Sequence, residues 1–130
     1  MKHLIILFSL LCLYACSSPS CDDQEFNLIG TWELFEFCNS PGDISCPIQI
    51  PNEEQLERWE LSIDSSFNFF LGGQLRNTGT FSVINSVIIF ADDTNGDIID
   101  RRFITVQGPC EVDLNALCIE ECRRSYEKID

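Results

Sequence analysis

Histidine occurs once in this 130-residue chain, at His3, and methionine once, at Met1. Both belong to the first fifteen residues. The rest of the chain therefore offers no imidazole for a Ser-His-Asp or Cys-His catalytic set and none for a metal. Basic residues are scarce too: eight Lys and Arg stand against 21 Asp and Glu. A surface of that sign does not neutralise phosphates, which argues against a DNA- or RNA-tracking role. The longest apolar run, from Leu4 to Ala15, is twelve residues, against the roughly 20 that cross a bilayer as a helix. Internal repeats and low-complexity stretches are missing, and no Cys-x-x-Cys marks a thioredoxin-like redox site or a zinc module.

What is present begins with an address. Lys2 and His3 give a short positive start, and the run to Ala15 has the length of an export signal. It ends Leu13-Tyr14-Ala15-Cys16, which resembles the lipobox of bacterial lipoproteins. That resemblance implies a signal peptide over residues 1–15 and acyl chains on Cys16, enough to hold the protein on a membrane without help from a folded domain. Residues 16–27 then form a polar, acidic tether: Ser17-Ser18-Pro19-Ser20, Cys21, Asp22, Asp23 and Glu25. Ser17 at the second mature position suggests no inner-membrane retention. The acidic group resembles surface-export signals of some Bacteroidetes lipoproteins. The expected location is the cell envelope, lipid-anchored at the outer membrane on its periplasmic or surface face. From Cys16 onward seven basic side chains face 21 acidic ones, a formal charge of −14.

Export also sets the redox state. With Cys12 removed and Cys16 acylated, Cys21, Cys38, Cys46, Cys110, Cys118 and Cys122 remain for an oxidising compartment. Six cysteines can pair in fifteen ways. Cys38 and Cys46 flank a loop with Pro41 and Gly42, which suits a local bridge. Cys118 and Cys122 could face each other across a three-residue loop, leaving Cys21 for Cys110. The spacings suit staples better than zinc.

The body of the chain reads as strands and turns. Trp59, Leu61 and Ile63 alternate with Arg58, Glu60, Ser62 and Asp64, a strand with one wet face. Phe67 to Leu71 ends at Gly72-Gly73; Thr80 to Val83 ends at Asn85-Ser86; Val87 to Phe90 is a β-branched run; Asn95-Gly96 marks another hairpin. Ile98–Gln107, Ala116–Ile119 and Arg123–Ile129 complete the series, and Leu28–Cys38 opens it. One short helix is expected after Asn52, with Gln55 as its capping-box partner. Short reversals force antiparallel neighbours, so the fold class is an all-β, antiparallel up-and-down meander of about eight strands that closes into a small barrel.

Four segments in order carry a resemblance. They are Gly30-Thr31-Trp32, the strand Trp59–Ile63 running into Asp64-Ser65-Ser66-Phe67, Gly79-Thr80-Phe81, and a last strand with Tyr126 and Lys128. This order is similar to the small lipocalin-like lipoproteins of Bacteroidetes, over about residues 28–129. The resemblance implies a lipocalin-like barrel domain at 28–130, in which Gly30 and Trp32 close one end and Arg123 or Arg124 packs over Trp32 as a cation–π partner. The chain is shorter and richer in cysteine than true lipocalins, which allows a narrow or filled interior.

Within Arg101-Arg102 and within Arg123-Arg124, alternation turns one arginine inward without resolving which. An inward arginine could take the carboxylate of an amphipathic ligand, with Phe81 and Phe103 among the lining. Its structural role would be pairing with acids at a barrel end. The acidic turn Asp92, Asp93, Asp97 and Asp100 fails the EF-hand template, because Ala91 and Arg102 fall at the two anchoring positions. Pairs such as Glu33/Glu36 and Glu120/Glu121 read as surface charge. The expectation is a non-enzymatic envelope lipoprotein, without metal or cofactor, that binds a small apolar or amphipathic molecule. The alternative is an interaction or inhibitor module that works through the Cys38–Cys46 loop over a filled barrel, with Ile44, Ile48 and Ile50 as its apolar surface.

Overall fold

The structure is a computed structural model that describes residues 21, 24–39, 46–117 and 122–130. Residues 1–20 lie outside the described residues, and with them the signal peptide and Cys16; so do Ile44, Cys118 and Glu120. Eight strands succeed one another: β1 (Gly30–Asn39), β2 (Glu57–Leu61), β3 (Ser66–Leu71), β4 (Gln74–Ile84), β5 (Val87–Asp92), β6 (Ile98–Gly108), β7 (Glu111–Ala116) and β8 (Cys122–Lys128). Each pairs antiparallel with the next, and β8 pairs back onto β1, so the meander closes into the expected barrel without an edge strand. Bulges at Leu34/Glu36, Phe69/Phe70, Phe90/Ala91 and Val106/Gly108 shift the register. They supply the extra twist that a small closed sheet needs.

Period two decides what faces inward. Trp32, Leu34, Trp59, Leu61, Phe67, Ile88, Phe90, Val112, Leu114 and Tyr126 are all buried in one core. Trp59 sits at its centre, 4.2 Å from Phe90 and 4.3 Å from Phe69 between ring centroids, and Phe67 closes on Phe90 at 4.9 Å. These ring contacts pack the centre of the barrel.

The barrel has two unlike ends. The tether end holds Gly30, Leu61, the β4–β5 turn, the β6–β7 turn and Lys128; the loop end holds Asn39, Glu57, Leu71, the β5–β6 turn and Ala116. At the tether end Phe26 and Leu28 pack under the core, and the Leu28 carbonyl accepts the Trp32 indole N–H at 2.8 Å. Lys128, and neither Arg123 nor Arg124, lies over Trp32, its Nζ 5.6 Å from the ring. Gly30 is required there: its φ is +138°, and a Cβ would run into the Lys128 side chain. The Cys21–Cys110 disulfide clamps the start of the described chain to the β6–β7 turn, and Cys38–Cys46 staples the loop end, as the spacing suggested. Cys122 is also disulfide-bonded.

Three local expectations are corrected. Asn52 and Gln55 do form a capping box: Asn52 Oδ1 accepts from the N–H of Glu54 and Gln55 at 3.0 Å, and Gln55 Oε1 accepts from Asn52 N–H. The turn nevertheless stops without a helix, because β2 begins at Glu57 and the chain is needed in the sheet. Ile63 does not share the buried face of Trp59 and Leu61; it rides the β2–β3 turn, 91% exposed. The strand expected at Ala116–Ile119 lies earlier, at Glu111–Ala116, paired with β6 through Pro109-Cys110.

Candidate functional site

Polar groups gather inside the barrel near the loop end. Glu57 leads β2 in phase with Trp59; Asp100 and Arg102 come from β6, and Arg124 and Tyr126 from β8. Arg102 Nε donates to Asp100 at 2.8 Å, and its Nη1 reaches Glu57 at 3.3 Å and the Tyr126 hydroxyl at 2.7 Å. That hydroxyl donates to Glu57 at 2.5 Å, and Arg124 holds the other Glu57 oxygen. Arg102 also lies over Trp59, 5.1 Å from the ring, and Arg124 over Phe37 at 5.7 Å. Two carboxylates thus meet two guanidiniums, and the charges cancel within the cluster.

Burial bears on the titration of Arg102 and Tyr126. Removal from water works against the Arg102 charge, but Tyr126, Asp100 and Glu57 around it more than offset this, and its pKa is raised. Tyr126, fully buried, is pushed up mainly by desolvation, against the pull of Arg102 and with the support of Glu57. Trp59 Nε1 is buried without a hydrogen-bond partner beside this cluster.

The inward members of the two arginine pairs are therefore Arg102 and Arg124. Arg101 is exposed, and Arg123 lies on the outer face against Glu36. Phe81 packs on the core, whereas Phe103 points outward, 48% exposed, and lines nothing inside. Sequence reasoning missed Glu57, Asp100 and Tyr126, although each stands two residues from an inward side chain.

Above the cluster a recess of about 280 Å³ opens between Phe37, Asn39, Glu54, Gln55, Glu57, Leu71 and Arg124. Beside it the stapled segment is joined to β1 by paired hydrogen bonds between Phe37 and Gln49, at 2.8 and 2.9 Å. It carries Ile48 and Ile50 at 59% and 74% exposure. The Asp92 turn is satisfied internally: Asp92 accepts from Thr94 N–H at 2.6 Å, which holds its carboxyl below the usual range. Among the described residues no three acidic or cysteine side chains converge as a metal site. Set against family models, curated proteins and solved structures, the chain matches none.

Proposed function

We propose that this chain is a lipid-anchored envelope protein of the lipocalin-like type whose filled barrel serves as a rigid mount for a protein-binding loop end. The observation that carries this reading is the packing around Trp59. Phe69 and Phe90 stack on it, and Arg102 caps it while bound to Glu57, Asp100 and Tyr126. An acyl chain would have to displace those rings, and its carboxylate would compete with acids already in place. The Cys38–Cys46 staple lies next to Ile48 and Ile50, two exposed apolar groups beside the mouth. The lipobox at Cys16 supports the anchor and the envelope location. Beyond His3 there is no histidine, and the cluster carboxylates Glu57 and Asp100 are paired with arginines, both of which favour a non-enzymatic role; the excess of acids disfavours nucleic acid.

A photo-crosslinking residue at Ile50, in the intact lipoprotein in its own cells, tests the reading. A discrete protein adduct is expected from Ile50 and none from the same residue at Ile63. Equal labelling from both would sink the proposal.

The recess at Phe37, Leu71, Glu57 and Arg124 favours a second reading, a small amphipathic ligand held at the mouth. Its volume sits near the lower limit of about 300 Å³ for ligand pockets. Native mass spectrometry of residues 17–130 separates the two: a lipid-sized adduct would favour the ligand, and a bare protein the loop-end partner.

A further inference from the structure

We infer that the tether end of the barrel is a membrane-contact face, seated on the zwitterionic lipid surface to which Cys16 is attached. This rests on the reading of Cys16 as acylated. Four residues separate Cys16 from Cys21, so the chain reaches at most about 18 Å between them. Cys21 is in turn bonded to Cys110 in the β6–β7 turn. The anchor is therefore pinned to one end of the barrel and not merely to one end of the chain. Strands of eleven residues, β4 and β6, tilted as barrel strands are, put the opposite end about 25 Å further away.

The pinned end is suited to lipid. Ile63 caps the β2–β3 turn at 91% exposure, and Val83 and Ile84 flank the β4–β5 turn at 48% and 56%. Val106 and Ile129 add two further half-exposed groups on β6 and beyond β8. These are separate tips around one rim, the depth of an interfacial contact and not of a span. Among the described residues, the charges that share this rim include Glu25, Asp64, Glu111, Glu127 and Asp130, all exposed, with Lys128 already held by the carbonyls of Asn27 and Ile29. An acidic rim is repelled by anionic lipid, so the surface it fits is zwitterionic. With this end down, Ile48, Ile50 and the recess face away from the membrane.

The test uses the acylated protein purified from membranes, its acyl mass confirmed on the intact chain. It is reconstituted on phosphatidylethanolamine–phosphatidylcholine vesicles and compared with soluble Cys16→Ser protein by hydroxyl-radical footprinting. Oxidation of Ile63 and Ile84 should fall severalfold on vesicles while Ile48 and Ile50 stay as reactive as in solution. Opening the staple with Cys21→Ser and Cys110→Ser should return Ile63 toward its solution reactivity. Unprotected Ile63 in protein of acylated mass overturns the membrane face alone, as does equal protection at Ile50. A chain that gains no acyl mass overturns the anchor reading and the inference with it.

Discussion

Glu57 joins three side chains of the interior cluster, since its two oxygens serve Arg102, Arg124 and Tyr126. Removing its charge leaves Arg102 with Asp100 and takes from Arg124 the carboxylate it holds. Breaking a buried pair from one side costs about 3–5 kcal/mol, because the remaining charge is stranded. Glu57→Gln is therefore expected to lower unfolding free energy by that order in a denaturant titration. Arg123→Ala, which removes an arginine 46% exposed, should cost no more than about 1 kcal/mol. Similar losses for the two would contradict the buried network. Tyr126 makes a pH prediction. Its pKa is raised in the fold, so its contribution is complete below the unfolded value of about 10 and is lost as pH climbs from there toward the folded one. Tyr126→Phe should flatten the alkaline decline in stability and cost about 1–3 kcal/mol at neutral pH from unmet partners. The cluster was half legible in the sequence. Alternation marked one inward arginine in each pair, but which one depends on registers set by bulges such as Phe90/Ala91, and one residue of slip exchanges the faces.

Among the elements, strands and tight turns were the most readable, because both are local. Gly72-Gly73, Asn85-Ser86 and Gly96 all carry positive φ where the chain reverses. The helix after Asn52 was misjudged because a capping box reports only the first turn, while pairing of Glu57 with Leu71 draws the next residues into the sheet. Ile63 was misjudged because alternation continues in the sequence after the strand has ended. The two described disulfides differ in what they constrain. Cys21–Cys110 spans 89 residues and Cys38–Cys46 only eight. Chain-entropy arguments give about 4.6 kcal/mol for the first and about 2.6 kcal/mol for the second. Paired Cys→Ser variants should thus rank in that order by thermal melting; the reverse order would mean that the tether contributes little beyond its bond.

At the scale of the whole molecule, charge excess opposes the fold that the interior holds together. Twenty-one acids meet few cations, and the described ion pairs engage Arg58, Arg102, Arg123 and Arg124. Among the described residues the remaining carboxylates lie mostly on the surface, where they repel one another over distances that salt shortens from about 30 Å at 0.01 M to about 8 Å at 0.15 M. Added NaCl is accordingly expected to raise the stability of residues 17–130 at neutral pH, opposite to a protein held by surface ion pairs. The increment lost in Glu57→Gln should stay nearly constant over the same range, since buried charges are screened little. Mild acid should relieve the repulsion as well, down to about pH 4, where unfolded Asp is about half protonated. Below that, Asp64, Asp92 and Asp130 work the other way. Against some burial at Asp130, hydrogen bonds from Ser66, Thr94 and Thr31 hold their carboxyls below the ordinary value. The stability they contribute is full above the unfolded pKa and is lost as pH falls through the lowered ones. A maximum in stability above pH 4 at low salt, flattened on its neutral side by NaCl, is the expected profile. Unfolding promoted by salt at pH 7 would place the dominant electrostatics in attractive surface pairs instead.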